Sequence, residues 1–131
     1  MSAKTENEIT INGVDYVKKS SIPKQHSTAK SKGRMPFVLI RSYASGVHFG
    51  YLKSKKPLGE RFVIELVDSR RVHYWDGACS LSQLALEGTK APANCRISVE
   101  LPLIEIAEVI EIIPLSKEAS ENLKGVPVWK K

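Results

Sequence analysis

Residues 36–54 read Pro-Phe-Val-Leu-Ile-Arg-Ser-Tyr-Ala-Ser-Gly-Val-His-Phe-Gly-Tyr-Leu-Lys-Ser, and this stretch contains the clearest fold signal in the chain. Four consecutive apolar residues at 37–40 predict a strand, and the following Ala-Ser-Gly predicts a turn. Beyond the turn, Val47, Phe49 and Tyr51 occupy every second position, which is the period of another strand. The stretch therefore predicts an antiparallel hairpin.

Further β signals lie on both sides of this hairpin. Upstream, residues 8–17 place Asn12-Gly13 between two β-prone runs, and Asn-Gly favours the positive φ angles of a hairpin turn. Downstream, a break at residues 55–59 is followed by strands predicted at residues 62–67 and 70–75, with Asp68-Ser69 as the turn between them. An antiparallel meander follows from this order.

Two later runs are also predicted as strands. Residues 96–101 alternate strictly, with Ile97, Val99 and Leu101 on one face. Residues 103–113 are ambiguous, because three glutamates recur at every third position as on a helix face while Ile and Val dominate the composition. We favour a strand there, bulged near Ala107 and Glu108.

Helix signals occur at two places. Ser80-Leu81-Ser82-Gln83 fits a capping box, and Gly88 is placed to end that helix. A short C-terminal helix is predicted over residues 116–124, with Ser116 as its cap and Gly125 as its end. The predicted fold class is α+β, a mainly antiparallel sheet of about six to eight strands with one capped central helix and a short C-terminal helix.

Composition limits the class of protein. The chain has 131 residues, of which 42% are hydrophobic and 26% charged, as in an ordinary globular domain. No run approaches 18 apolar residues and the first ten residues are polar, so we expect a soluble cytoplasmic protein without a membrane partner. Cys79 and Cys95 are too few for a disulfide framework, and we expect reduced thiols.

Positive charge is concentrated near the N-terminus. The net charge is +6, and residues 18–35 contain no acidic group and no hydrophobic periodicity, which predicts a flexible basic segment. We therefore divide the chain into residues 1–35, the first hairpin with this segment, and residues 36–131, a β-rich globular domain. The segment is either a solvated linker or a nucleic-acid-binding arm. Its candidate residues are Lys18, Lys19, Lys24, Lys30, Lys32 and Arg34.

Residues 70–75, Arg-Arg-Val-His-Tyr-Trp, are the densest group of recognition side chains. A guanidinium forks onto phosphate oxygens and an aromatic ring stacks on a base, so the combination suits a nucleotide. In a strand, Arg70, Val72 and Tyr74 share one face while Arg71, His73 and Trp75 share the other. The alternative is that the two aromatic residues are core or interface anchors. The candidate ligand-binding residues are Arg70, Arg71, His73, Tyr74, Trp75, Asn94 and Arg96.

Catalytic and metal signals are weak. Neither GxxxxGK[ST] nor GxGxxG occurs. Cys79, with His73 or His48 as its base, is a poor candidate nucleophile because no family signature surrounds it. The histidines and cysteines lack metal-ligand spacing. We therefore predict a binding protein without a catalytic residue, metal or cofactor.

Residues 36–130 resemble a family of small, uncharacterised phage and prophage proteins. The resemblance is densest in the block Tyr-Trp-Asp-Gly-Ala-x-Ser-Leu-Ser-Gln-Leu-Ala at residues 74–85. It continues in residues 37–43, 45–47, 50–52, 87–88, 94–95, 108–112 and 126–129. This resemblance implies a viral or prophage setting, and the basic segment lies outside it. By analogy with Thoeris anti-defence proteins, which sequester cyclic-nucleotide signals, it implies a counter-defence role.

These observations lead to one function and two alternatives. The leading prediction is a non-enzymatic phage or prophage accessory protein that binds an anionic partner, a nucleotide-type host defence signal. The alternatives are a nucleic-acid-binding protein that uses the basic segment, and a virion structural or assembly protein that uses Trp129 for subunit contacts. We also expect a homo-oligomer, since the edge strands of a small sheet need covering.

Overall fold

The computed structural model describes residues 26–130 and, before them, the backbone of residues 8–11 and 14–17. In chain order the elements are β1 (Glu8–Ile11), β2 (Val14–Val17), β3 (Phe37–Ser42), β4 (Gly46–Leu58), β5 (Arg61–Tyr74), α1 (Leu81–Glu87), a 3-10 turn (Pro92–Asn94), β6 (Arg96–Ile97), β7 (Leu101–Ile106), β8 (Val109–Pro114) and α2 (Lys117–Lys124). The predicted class, α+β with a mostly antiparallel sheet, is confirmed. Within those ranges, no helix has the length and apolar character needed to span a membrane.

The first two strands form a separate hairpin. β1 and β2 pair antiparallel with Ile11 opposite Val14, so a two-residue connection joins them and the predicted hairpin is confirmed. Its Asn12-Gly13 turn lies outside the described residues.

The main sheet is built outward from the β3–β4 hairpin that residues 36–54 predict. β3 pairs with β4 from Phe37 opposite Tyr51 to Ser42 opposite Gly46. The predicted break at residues 55–59 is wrong, because β4 continues to Leu58 and turns only at Gly59, whose φ is 62°. β3 pairs with β4 only as far as Tyr51. The later residues of β4 therefore form a sheet edge on the side of β3, where Pro57 is tolerated.

The predicted Asp68-Ser69 turn is also wrong, since β5 runs through it as one strand. Asp68 adopts a φ of 52°, and the register shifts so that Asp68 and Ser69 together face Gly50. A Cβ on Gly50 would lie 3.0 Å from the Ser69 Cα. Asp is among the residues that tolerate positive φ, and here it forms a bulge in which the strand bends without reversing.

The run at 103–113 forms two strands joined by a corner. β7 pairs with β5, ending with Ile106 opposite Ile64, whereas β8 pairs with β3 on the opposite edge. Glu108 adopts a φ of 55°, and its carbonyl accepts a hydrogen bond from Tyr43 N at 3.1 Å. The strand order in the sheet is β6-β5-β4-β3-β8, and β7 also pairs with β5. A short corner connects β7 to β8 although they pair with different strands, β5 and β3. The sheet is accordingly curled into a half-barrel.

The predicted single strand over residues 96–101 is wrong. β6 ends at Ile97, and β7 begins at Leu101 with its pairing to Ser69. Ile97 is fully buried, while Val99 is 59% exposed and does not share its face. Ser98 N still donates to Arg71 O at 2.9 Å, but residues 98–100 are not part of a strand, so the alternating pattern does not persist.

Two hydrophobic cores lie on the two faces of the sheet. The inner core is enclosed by the curl and contains only strand residues: Val38, Ile40, Ile64, Leu66, Ile106 and Val109. The helix-side core packs strand residues such as Phe37, Leu39 and Phe49 against Leu84 of α1 and Leu123 of α2. β3 therefore buries both of its faces, which explains its four consecutive apolar residues.

Helices α1 and α2 contact each other at the C-terminal end of α1. Ser80 Oγ accepts a hydrogen bond from Gln83 N at the start of α1, and Gly88 ends it with a φ of 76°. A Cβ on Gly88 would lie 2.5 Å from the Asn122 side chain. Asn122 in turn accepts from Thr89 N and donates to Thr89 O, both at 2.8 Å. Glycine is thus required for close contact as well as for the backbone angle.

The later part of the predicted flexible basic segment lies along this body. Ala29 is 5% exposed and its N–H donates to Leu115 O at 2.9 Å, while Lys117 N donates to Ser27 O at 2.7 Å. From residue 26 onward the segment is therefore anchored to the start of α2 by backbone hydrogen bonds.

Candidate functional site

Arg70, the first residue of the predicted ligand-binding group, faces the protein interior. It is 5% exposed, and its guanidinium donates to the carbonyl oxygens of Ser98 at 2.7 Å, Leu123 at 3.2 Å and Ile97 at 3.3 Å. Burial lowers the pKa of Arg70. These carbonyls belong to β6, the loop after it and the last turn of α2, so Arg70 ties β6 to α2.

Tyr74 and Arg96 form an exposed cluster with Trp129, which we call the aromatic surface. The Arg96 guanidinium carbon lies 5.9 Å from the centre of the Tyr74 ring and 5.6 Å from that of the Trp129 ring. Tyr74 and Arg96 are opposite each other in the β5–β6 ladder, and Trp129 N donates to Ile97 O at 2.9 Å. Strand pairing and the C-terminal tail thus bring two half-exposed rings to one cation.

An open cavity of about 470 Å³ lies at the aromatic surface. Its lining also contains Asn94 from the 3-10 turn and Asp76, and Asn94 Nδ2 donates to Asp76 Oδ2 at 3.2 Å. The cavity therefore offers two flat rings, one guanidinium and one carboxylate. This set suits a planar ligand that carries both an anionic group and a hydrogen-bond donor.

A second cavity lies on the concave face of the sheet, and we call it the histidine cavity. Its volume is about 180 Å³, and its lining includes His48, Arg71, His73, Val99, Leu101 and Ile104. His48 and Arg71 are opposite each other on β4 and β5. The rings of His73 and Trp129 have centres 5.1 Å apart, so the histidine cavity and the aromatic surface meet at this pair.

His48 is nearly fully buried in the histidine cavity, at 1% exposure, as is Ser69 of the same lining. Burial, and then the positive charges of Arg71 and His73, lower the pKa of His48 to about 4. Nε2 lies 3.2 Å from Ser45 O, and a carbonyl only accepts, so we assign the proton to Nε2. Nδ1 is then a buried acceptor, and it meets no hydrogen-bond partner in the part of the chain that the structure describes.

The predicted ligand-binding residues therefore separate into three places. Arg71 and His73 line the histidine cavity, and Tyr74, Asn94 and Arg96 line the cavity at the aromatic surface. Arg70 is bonded to carbonyls, and Trp75 packs half-buried against the helix-side core. Two residues of the cavities are missing from the predicted ligand-binding set: Trp129, predicted to make subunit contacts, and His48, named only as a candidate base for Cys79. Because successive residues of a strand point to opposite faces, the sequence does indicate that His48 lies on the face opposite Phe49.

Part of the basic segment lies at a third cavity, of about 310 Å³. Its lining includes four lysines, Lys30, Lys32, Lys117 and Lys124. Two of them already have partners. Lys32 Nζ lies 2.7 Å from Asp68 Oδ2, an interaction that raises the pKa of Lys32, and Lys124 Nζ donates to the Tyr51 hydroxyl at 2.7 Å.

The remaining predicted basic residues lie elsewhere. Arg34 is exposed and is not part of the lining of this third cavity. Lys18, Lys19 and Lys24 lie outside the described residues.

Among residues 26–130, the thiols and acidic groups do not form an assembled centre. Cys79 is exposed just before α1 and Cys95 is buried, and Cys79 does not line the cavity that contains His48 and His73. Among the residues that the structure describes, no three His, Cys, Asp or Glu side chains are grouped to hold a metal ion.

Comparison with known proteins gives a family but no characterised relative. A family model described as a domain of unknown function (DUF6948) matches residues 35–123, which include every residue of the two cavities except Trp129. No curated protein and no solved structure matches the chain.

Proposed function

The chain belongs to the DUF6948 family, a domain of unknown function, and we propose that it is a non-enzymatic protein that binds an anionic, nucleotide-type ligand at the aromatic surface. The observation that carries the proposal is the Arg96 guanidinium within 6 Å of both the Tyr74 and Trp129 rings. A base stacks on an exposed ring, and the guanidinium pairs with a phosphate. Asp76 accepts a hydrogen bond from the sugar or base.

The biological setting of this proposal comes from the resemblance to small phage and prophage proteins. In that setting the ligand is a nucleotide-type signal of host defence, and sequestering it lowers its free concentration. Sequestration needs affinity and no chemical step, which agrees with a surface that offers stacking and charge.

Adenosine 5′-monophosphate is the probe for this proposal, with adenosine and inorganic phosphate as controls. Calorimetry with the wild-type protein should give saturable binding of the nucleotide and weaker binding of either part alone. Because stacking on one ring contributes about 1–3 kcal/mol, Trp129→Ala should weaken nucleotide binding about tenfold. Arg96→Ala should have a similar effect.

The chain offers a matched control for these variants. The Arg61 guanidinium carbon lies 5.9 Å from the centre of the exposed Tyr43 ring, the same arrangement at another place on the surface. Arg61→Ala and Tyr43→Ala should leave nucleotide affinity unchanged. Equal losses in both pairs, or unchanged affinity in Arg96→Ala and Trp129→Ala, would refute the proposal.

A second candidate function is nucleic-acid binding at the third cavity, favoured by its four lysines. Lys30 and Lys117 are the ones to change, because Lys32 and Lys124 have structural partners. Fluorescence anisotropy with a single-stranded oligonucleotide should show weaker binding and a flatter salt dependence for the double variant Lys30→Gln, Lys117→Gln. The exposed Lys53→Gln is the control, and an unaltered salt slope in the double variant would eliminate this candidate.

A further inference from the structure

The histidine cavity also leaves room for a ligand, and it adjoins the aromatic surface where His73 lies beside Trp129. Its volume of about 180 Å³ slightly exceeds that of an engineered apolar cavity of about 150 Å³ known to accept benzene. Ile104 lines the cavity and also packs on the inner core. The cavity is thus a continuation of the inner core toward the surface, large enough for one small organic molecule.

His48, one of the lining residues, contains a buried acceptor without a donor among the described residues. His48 donates through Nε2 to Ser45 O, which leaves the Nδ1 lone pair buried and unpartnered among the described residues. Burying an acceptor in this state costs free energy unless a donor reaches it. A ligand that presents a hydroxyl or N–H group to Nδ1 removes that cost.

A cation lies opposite this acceptor. Arg71 faces His48 across the β4–β5 ladder, and its backbone is held to the loop after β6 by hydrogen bonds in both directions with Ser98. Within the described residues, no carboxylate lies at ion-pair distance from the Arg71 guanidinium. The cavity therefore offers one fixed acceptor and one positive charge that lacks an acidic partner.

The remaining lining selects against a purely inorganic ion. Beside the polar His73, Ser69 and Ser98, the lining contains the apolar Val99, Leu101 and Ile104. A bare hydrated anion would bury no apolar surface against these three residues. A fully ionised oxyanion would also place acceptor oxygens against the Nδ1 lone pair. An organic anion with a separate donor group satisfies all three parts of the cavity.

We propose that the histidine cavity binds a small organic anion of the hydroxycarboxylate class. Its carboxylate pairs with Arg71, its hydroxyl donates to His48 Nδ1, and its hydrocarbon part packs on Leu101 and Ile104. Its lining is distinct from that of the proposed nucleotide site, since neither Trp129 nor Arg96 lines it.

The test uses the full chain labelled with nitrogen-15 and the probe 3-hydroxybenzoate, which separates a carboxylate and a hydroxyl on an apolar ring. Imidazole nitrogen spectra of the free protein should show His48 as the Nε2–H tautomer. Millimolar 3-hydroxybenzoate should shift the Nδ1 resonance of His48 in a saturable way. Benzoate, which lacks the donor, and phenol, which lacks the anion, should each bind at least about tenfold more weakly.

Variants separate this site from its neighbours. Arg71→Gln should abolish the probe-induced shift of His48, while the exposed Arg61→Gln should preserve it. Arg96→Ala, which alters the aromatic surface at a residue that does not line the histidine cavity, should also preserve the shift, so failure of the nucleotide proposal does not affect this one. The imidazole spectrum of Arg71→Gln itself reports whether His48 remains buried and correctly protonated.

Three results would overturn the proposal. The first is a His48 spectrum that does not respond to millimolar 3-hydroxybenzoate. The second is equal affinity for benzoate and 3-hydroxybenzoate, which means that Nδ1 takes no part. The third is unchanged binding in Arg71→Gln.

Discussion

Arg70 and His48 lie on neighbouring strands and are both nearly fully buried, at 5% and 1% exposure, but their polar atoms differ in how they are satisfied. Arg70 donates to carbonyls of β6, its following loop and α2. His48 uses one ring nitrogen and leaves the other unpartnered among the described residues. The first residue therefore stabilises the fold, whereas the second leaves a buried acceptor unpaired among the described residues, at a cost in stability.

Replacing Arg70 by Met is predicted to destabilise the protein by about 2–4 kcal/mol, because several buried carbonyls lose a charged donor. The free energy of unfolding in urea measures this loss. Arg61→Met is the control and should change that free energy by less than about 0.5 kcal/mol, since Arg61 is exposed. A loss for Arg70→Met no larger than for Arg61→Met would contradict the assigned role.

His48 predicts how stability depends on pH. Its pKa in the folded protein, about 4, is lower than its ordinary value of 6.5, so the unfolded chain takes up the proton first as the pH falls. The titration of His48 therefore leaves stability unchanged above about pH 6.5, lowers it as the pH falls to about 4, and changes it no further below that. The loss is on the order of 3 kcal/mol.

This dependence is measured as the difference between wild-type protein and His48→Leu in urea unfolding across that pH range. The subtraction removes the carboxylates that titrate in both proteins. Parallel stability curves for the two proteins between pH 6.5 and 4 would show that His48 is not buried in its neutral form.

At the scale of elements, α1 and α2 both begin at a serine but in different surroundings. Ser80 Oγ accepts from Gln83 N at an exposed position. Ser116 is 4% exposed, and its Oγ both accepts from Ala119 N and donates to Leu86 O at the end of α1. The second serine is therefore a helix cap and also a contact between the two helices.

Ser116→Ala is predicted to cost about 2 kcal/mol, because it removes a cap and leaves a carbonyl of α1 without its donor. Ser80→Ala should cost about 0.5–1 kcal/mol, the ordinary range for an exposed cap. Thermal or urea unfolding of the two variants gives the comparison. Equal costs would mean that the Ser116–Leu86 hydrogen bond contributes nothing measurable.

At the scale of the whole molecule, the half-barrel depends on segments that are distant in sequence. Residues 26–35 are held to the start of α2, with Ala29 buried and bonded to Leu115. The domain boundary predicted at residue 36 stays a prediction, which truncation on either side of residues 26–35 tests.

Two truncations test this packing. A chain that starts at Pro36 should be about 2–3 kcal/mol less stable than one that starts at His26, because it loses the burial of Ala29 and two backbone hydrogen bonds. Urea unfolding of both chains gives the difference. Equal stability would place the true boundary near residue 36, where the sequence predicts it.

The subunit state and the bound ligand are both accessible to one measurement. The predicted homo-oligomer remains a prediction, motivated by uncovered edge strands and by half-exposed apolar residues such as Leu101 and Leu103 on β7. Native mass spectrometry of protein purified from its host reports the subunit number together with any retained molecule. A retained nucleotide mass supports the proposed function, and an empty monomer counts against both predictions.

The sequence by itself determined the local features of this protein. The Asn-Gly hairpin, the β3–β4 hairpin and the serine at the start of α1 depend on neighbouring residues only, so their patterns were sufficient to predict them. It also singled out, by residue type, five of the side chains that line the two cavities: Arg71, His73, Tyr74, Asn94 and Arg96.

Only the tertiary structure decided how those residues combine. Asp68 is a turn residue that forms a bulge, because a β4 partner with glycine at position 50 accepts the extra residue. His48 meets Arg71, and Trp129 meets Arg96, through strand register and the return of the C-terminal tail to β6. Register and tail placement depend on burial summed over distant segments, and no local pattern encodes that sum.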